Sequence, residues 1–205
     1  MEKELITISL TEFMDFVNKS GMAKMTVVSS TKAHREDDYK TYADYWLKLR
    51  EKIKEVHKKH LSQDDFRELI EEIKPDKIEN YHLAIEGYCK FWGKKKIEWV
   101  KPPRKIWKIG NIRLAVNPEL GLKIKDQIYY VKIYTKANSQ IDKRHADMIL
   151  TLMEQELRPK VEEDAVFAVL DIKRGKLFST KPTDPKLRIL LKTEAQEFEA
   201  IWKQI

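Results

Sequence analysis

Apolar residues in the first half of the chain recur every three or four positions, which is the spacing of helices with one buried face. The longest such stripe runs through Tyr42, Tyr45, Trp46, Leu49, Ile53 and Val56. It predicts a helix over about residues 38–60. Similar stripes predict a short helix near residue 10 and two more helices before residue 93, and the apolar segment 25–30 predicts a strand or a loop. We therefore predict that residues 1–93 form an all-helical region.

Beyond residue 93 the hydrophobic pattern changes to the alternation that is typical of strands. A lysine-rich segment with a Pro-Pro pair, 93–105, marks the change. The alternating positions are Ile112, Leu114 and Val116, followed by Leu120, Leu122 and Ile124. Further strands are predicted over 127–136 and 165–172.

Two helices are predicted among these strands. Capping-box patterns indicate one from Ser139 to about Leu157 and a last one that begins at Thr193. Residues 94–205 should then form a small mixed, mainly antiparallel sheet with helices, packed beside the helical region 1–93. The expected fold class is α+β.

The stretch "LGLKIKDQIYYVKIYTK" predicts a β-hairpin whose register follows from its hydrophobic positions. A two-residue loop at 126–127 pairs Ile124 with Tyr129 and Leu122 with Val131, which unites the apolar residues on one face. The opposite face, which we call the Lys/Tyr face, holds Lys123, Lys125, Tyr130, Lys132, Tyr134 and Lys136. We expect it to form one surface of the protein.

Positive charge is concentrated in the middle of the chain. The formal net charge is +7, yet residues 90–144 hold 15 Lys and Arg against 4 acids and carry +11, so the remainder carries −4. Such asymmetry favours an anionic partner for the middle segment. The alternative is a lysine-rich solvated surface.

The Lys/Tyr face and the helix that follows it are the candidate binding surface. Ammonium groups interleaved with aromatic rings suit phosphates and stacked bases. Lys143 and Arg144 in the first turns of the next helix oppose its dipole unless an anion or Asp142 compensates them. We expect a nucleic-acid-binding protein, for DNA or RNA, without catalysis and without a cofactor. An interaction protein for an acidic protein partner is an alternative.

The order of elements around Pro118-Glu119 resembles the core of the PD-(D/E)XK restriction-endonuclease superfamily over residues 111–172. The resemblance implies a fold in which Glu119 is the first metal-binding carboxylate. A nuclease that uses Mg²⁺ is therefore a further alternative. The "NPELGL" and "VKIY" patterns also resemble an uncharacterised bacterial family, which implies no function.

The second acid that this superfamily needs, two residues before a lysine, is missing from the predicted strand. Tyr130 and Tyr134 stand two residues before Lys132 and Lys136. Asp171 in "DIK" has the acid-x-lysine spacing, but it falls where we expect a hairpin turn. The resemblance therefore implies a related fold with an incomplete metal site, in which Glu119 and Asp171 would act only in the nuclease alternative.

Other chemistry is sparse. Cys89 is the only cysteine, and the longest apolar run, 165–170, is far too short for a membrane span. We expect a cytoplasmic protein that makes no contact with a membrane. His57 and His60 have the spacing of two metal ligands, but the lysines around them favour a solvated helix end.

Overall fold

The chain forms seven helices and eight strands in the parts that a computed structural model describes, residues 5–36, 44–135, 141–179 and 184–205. The helices are α1 (Leu10–Val17), α2 (Met22–Glu36), α3 (Leu47–Lys59), α4 (Gln63–Arg67), α5 (Ile78–Trp92), α6 (Lys143–Leu157) and α7 (Pro185–Trp202). The strands are β1 (Ile6–Ser9), β2 (Ile97–Trp99), β3 (Lys105–Ile109), β4 (Ile112–Val116), β5 (Leu120–Ile124), β6 (Gln127–Tyr134), β7 (Val166–Asp171) and β8 (Lys176–Phe178). The predicted α+β class is confirmed. None of the described helices combines the length and the apolar character that crossing a bilayer requires.

The strands form two mixed sheets. One has three strands in the order β1-β4-β3, and the other has five in the order β2-β5-β6-β7-β8. Strand β1 is parallel to β4, and β6 is parallel to β7, while the remaining pairs are antiparallel. Because α6 connects β6 to β7, the parallel pair has the helical crossover that such pairs need.

Both faces of the five-stranded sheet are buried. Leu122, Val131 and Leu170 pack in a cluster with residues of α3, α4 and α5. Tyr130 and Phe167 pack on the other face, in a cluster with residues of α1, α2, α6 and α7 and of the three-stranded sheet. The prediction that the Lys/Tyr face is a surface is therefore wrong at its centre, because helices and the second sheet cover the middle of β6.

The hairpin register differs from the predicted one by two residues. Leu122 faces Tyr129 and Ile124 faces Gln127, so the two-residue loop is Lys125-Asp126. Lys125 takes the left-handed conformation, with φ of 56°, that such tight loops require. A shift by two residues leaves every side chain on its predicted face. The predicted division of the hairpin into two faces is therefore correct, although the predicted residue pairs are wrong.

Several predictions about the helices change, and the long one, predicted over 38–60, begins at Leu47, with 44–46 outside the helix and 38–43 outside the described residues. Segment 25–30 is part of α2, where burial of Val28 outweighs the weak helix propensity of its β-branched residues. Helix α6 begins at Lys143, because Asp142 is the N-cap and accepts from His145 N at 2.8 Å. Helix α7 begins at Pro185 after the cap Asp184, and so Thr193 lies inside it.

The start of the chain is part of the C-terminal fold. Strand β1 adds to β4, which is the one described departure from an all-helical first half. Each of the two hydrophobic clusters contains residues from both sides of position 93. The division into regions 1–93 and 94–205 stays a prediction.

His57 lies inside the helical cluster and not at a solvated helix end as expected, whereas His60 is exposed. The Nε2 atom of His57 is 2.7 Å from Tyr88 Oη, and the His57 ring packs edge-on against the Trp92 ring, with 4.5 Å between the ring centroids. Burial, with a smaller contribution from His60, lowers the pKa of His57 to about 4. The folded protein therefore holds this imidazole neutral.

We expect acid to destabilise the protein through His57. The unfolded chain protonates this histidine below its ordinary pKa of 6.5 and the folded chain only near 4, so the free energy of unfolding should fall by about 3 kcal/mol between those pH values. Urea unfolding at a series of pH values should show a smaller decline in His57→Gln. The exposed-site control His82→Gln should keep the decline of the unmodified protein, and equal declines in both variants would contradict the assignment.

Candidate functional site

Glu119 and Lys132 form an ion pair at the point where β5 begins. Glu119 lies one residue before β5, its amide donates to Val131 O at 3.1 Å, and Lys132 Nζ donates to Glu119 Oε1. The other carboxylate oxygen accepts from Ile133 N at 2.8 Å. Both side chains are mostly buried, with 20% and 12% of their surface exposed. Each oxygen of Glu119 is thus engaged by the neighbouring strand.

Tyr130 belongs to the core. It is 4% exposed, and its hydroxyl donates to Glu162 Oε2 at 3.1 Å. Burial, and then this carboxylate, raise the pKa of Tyr130 to about 12. The expectation that a nucleic-acid base stacks on Tyr130 is therefore wrong, because its ring already packs near Phe167 beneath α6.

Asp171 ends β7 and holds the following turn together. Arg174 donates to it twice, from Nη1 to Oδ2 at 3.0 Å and from its amide to Asp171 O at 3.2 Å. Strands β5 and β7 lie on opposite sides of β6, which puts the backbones at Glu119 and Asp171 about 9.5 Å apart or more. Each carboxylate pairs instead with a cation of its own, Glu119 with Lys132 and Asp171 with Arg174, and in this arrangement neither is open to a metal. Among the residues that the structure describes, no group of three or more His, Cys, Asp or Glu side chains could hold a metal.

A small cavity lies beside the ion pair, between α1, β6 and α6. Lys132 and Tyr134 line it from the strand, Asp15 from α1, and His145 from α6. Its volume is about 30 Å³, which is enough for about two water molecules. In this form it cannot admit a nucleotide base.

The start of α6 balances its own charges. The Asp142 carboxylate caps the helix and lies 2.9 Å from His145 Nδ1, and Lys143 pairs with Asp147 at 3.0 Å. Asp142 is thus the acidic neighbour that the helix dipole calls for. Lys143 and Arg144 remain exposed. Lys136 and Ser139 lie outside the described residues.

Six exposed or half-exposed cations of the middle segment lie beside strand β2, in the segment that follows it and at the β5–β6 hairpin. We define the basic rim as Lys94, Lys96, Lys101, Arg104, Lys123 and Lys125. Strand β2 is one edge of the five-stranded sheet, and its pairing of Ile97 with Ile124 brings Lys96 beside the hairpin loop. None of the six forms an ion pair with another described residue. The acids along this edge are Glu98, which faces Lys123, and Asp126.

Close backbone contact fixes the rim to the sheet. Val100 N donates to Gly121 O at 2.8 Å, and a Cβ at position 121 would lie 2.2 Å from Val100 O. Only glycine permits this approach.

The sequence interpretation placed segment 93–105 at a boundary and so missed β2, although "KIEWV" carries the alternation of a short edge strand.

Comparisons with known proteins add little to this geometry. No protein-family model matches the sequence, and no curated protein matches it. Five chains of known structure match, including the crystal structure of SSO0001, with a TM-score of 0.44 and 11% sequence identity over 98% of this chain and 79% of that one. So low a score carries no argument.

We expect the Glu119–Lys132 pair to stabilise the fold as a unit. Glu119→Gln keeps an acceptor for Ile133 N but leaves the Lys132 ammonium uncompensated, and Lys132→Met leaves the carboxylate uncompensated. Each should lower the free energy of unfolding by about 2–3 kcal/mol, and the double variant by clearly less than the sum. Urea denaturation of the four proteins gives the coupling, and additive losses would show that the pair is not a unit.

Proposed function

We propose that the protein binds the phosphate backbone of nucleic acid through the basic rim and does not cleave it. One observation carries the proposal. The rim presents six exposed or half-exposed cations at a sheet edge, without a carboxylate partner within 4 Å among the described residues. Lys132, by contrast, has an internal partner in Glu119 and is removed from the binding set.

The dimensions of the rim suit a nucleic-acid strand. Five residues separate Lys96 from Lys101, which corresponds to about 16 Å along an extended strand. One strand of a duplex carries about five phosphates over that length. Lys143 and Arg144, exposed at the start of α6, are kept as further candidate phosphate contacts.

The contacts are expected to be with the backbone and not with the bases. Tyr130 lies in the core and Tyr134 lines the small cavity, so neither offers an open ring along the rim. Without stacking, affinity follows charge density, which is higher in a duplex than in a single strand. The proposal therefore favours double-stranded nucleic acid and little sequence preference.

A nuclease of restriction-endonuclease-like fold is the second candidate. In its favour, Pro118-Glu119 precedes β5 and Glu119 pairs with Lys132 on β6, and the order of β5, β6, α6 and β7 is compatible with the resemblance over residues 111–172. Against it, Glu119 already holds an ammonium group, and a buried tyrosine occupies the place of the second acid. Such a donor set fits Mg²⁺ poorly.

We expect duplex binding to weaken steeply with salt. If four rim cations contact phosphates, log K should fall with log salt at a slope of about 3 to 4. The variant Lys96→Gln/Lys125→Gln should lower that slope by roughly 2, because it removes two contacts. Fluorescence anisotropy with labelled duplex and single-stranded oligonucleotides, across a range of salt concentrations, measures both.

A matched control removes the same charge elsewhere. Lys186→Gln/Lys192→Gln substitutes two exposed lysines of α7 and should leave the slope unchanged. Equal slopes in the rim variant and the control would remove the rim from the interface. Failure of every oligonucleotide to bind at low salt, together with binding of an acidic protein that depends on the rim, would favour the protein-partner alternative.

For catalysis we expect no cleavage. Plasmid and oligonucleotide substrates should stay intact with Mg²⁺ or Mn²⁺, because Glu119 and Asp171 each have a cation partner of their own and lie on strands that are not neighbours. Gel electrophoresis after long incubation is a sufficient measurement. Cleavage by the unmodified protein that is lost in folded Glu119→Gln would establish the nuclease instead.

A further inference from the structure

The three-stranded sheet carries two cations directly opposite each other. Lys108 on β3 is the cross-strand partner of Arg113 on β4, and both side chains lie on the face that points away from the core, since Trp107 and Leu114 point into it. Like charges in this position destabilise a sheet unless something lies between them.

No acid in the described contacts compensates this pair. Neither cation forms an ion pair with another described residue. The carboxylate that contacts this hairpin, Glu199, accepts from Asn111 N at 3.1 Å and pairs with Lys203 at 2.5 Å. Lys105, on the core-facing side of β3, does have a partner, Glu156 at 2.8 Å.

The donors that remain suit a tetrahedral oxyanion. Arg113 Nη1 donates to Gly110 O at 3.0 Å and to Ile112 O at 2.9 Å, which anchors the guanidinium over the turn. Its Nε and Nη2 atoms have no described partner, and this edge of the guanidinium can bind a phosphate through two hydrogen bonds. Thr7 on β1 is the neighbour of Arg113 on the other side, and its side chain is exposed.

We propose that Lys108, Arg113 and Thr7 form a binding site for a phosphate group on the outer face of the three-stranded sheet. Three adjacent strands place the residues in one row about 10 Å long, and the buried inner faces hold the strands at fixed spacing. A bound phosphate turns the repulsion between Lys108 and Arg113 into two attractions. The site does not rest on the proposed function, because none of its residues belongs to the basic rim.

The test compares Lys108→Gln with the charge-conserving control Lys108→Arg. In chloride, Lys108→Gln should unfold about 1–2 °C above the unmodified protein, because it relieves the repulsion, and Lys108→Arg should not. Titration with inorganic phosphate at matched ionic strength should raise the unfolding temperature of the unmodified protein and of Lys108→Arg. The apparent phosphate affinity of Lys108→Gln should be lower by about tenfold or more.

Nonspecific stabilisation by phosphate occurs in every variant, so the difference between Gln and Arg at position 108 is the decisive quantity. An equal phosphate response in both variants, or no gain for Lys108→Gln in chloride, would overturn the site.

A second experiment, binding of a duplex oligonucleotide, distinguishes a phosphodiester from a free phosphate as the ligand. Weaker oligonucleotide binding in Lys108→Gln assigns a phosphodiester, whereas a change in the inorganic phosphate response alone assigns a free phosphate or phosphomonoester. If no oligonucleotide binds but the phosphate response depends on Lys108, the proposed function fails and this site stands.

Discussion

Burial of the five-stranded sheet on both faces is the constraint on which the rest of the structure depends. Strand β6 is the central strand of this sheet and pairs with β5 on one side and β7 on the other. A hydrophobic cluster covers each face of the sheet. A polar group on such a strand has little access to water, and so it must find a partner inside the protein. Lys132 pairs with Glu119, and the Tyr130 hydroxyl donates to Glu162. The pairing of these groups is thus a consequence of the layering.

The same constraint divides the positive charge into two sets. Cations next to the core are paired with acids, as Lys132 is with Glu119, Lys105 with Glu156 and Lys24 with Glu194. The cations of the basic rim, and Lys108 and Arg113 on the outer face of the three-stranded sheet, have no such partners among the described residues. The first set has its counter-charges inside the fold, whereas water solvates the second. The proposed function assigns an external anion to the second set alone.

The sequence predicts features that depend on local periodicity. It does not predict which elements pack on a given face of the sheet. The helix that ends near Gly93 and the alternation of β4 and β5 follow from short-range patterns, whereas the capping-box pattern at Thr193 lies inside α7. An exposed and a buried Lys/Tyr face have the same alternation, however, and only the helices and the three-stranded sheet that pack on this face distinguish them. Strands β1 and β2 have only four and three residues, so their alternation is a weak signal and their pairing with β4 and β5 defines them.

The Glu119–Lys132 pair also disfavours the metal-dependent cleavage that the nuclease resemblance implies. A metal at Glu119 would have to compete with an ammonium group that is directly opposite and shares the same buried space. A second acid at position 130 would replace a ring that fills the core beside Phe167, and it would face Glu162 as a like charge. A metal site at this position would therefore require coordinated changes in the core, and no single substitution would suffice. The proposed function accordingly assigns contacts with nucleic acid to the basic rim and none to the Glu119–Lys132 pair.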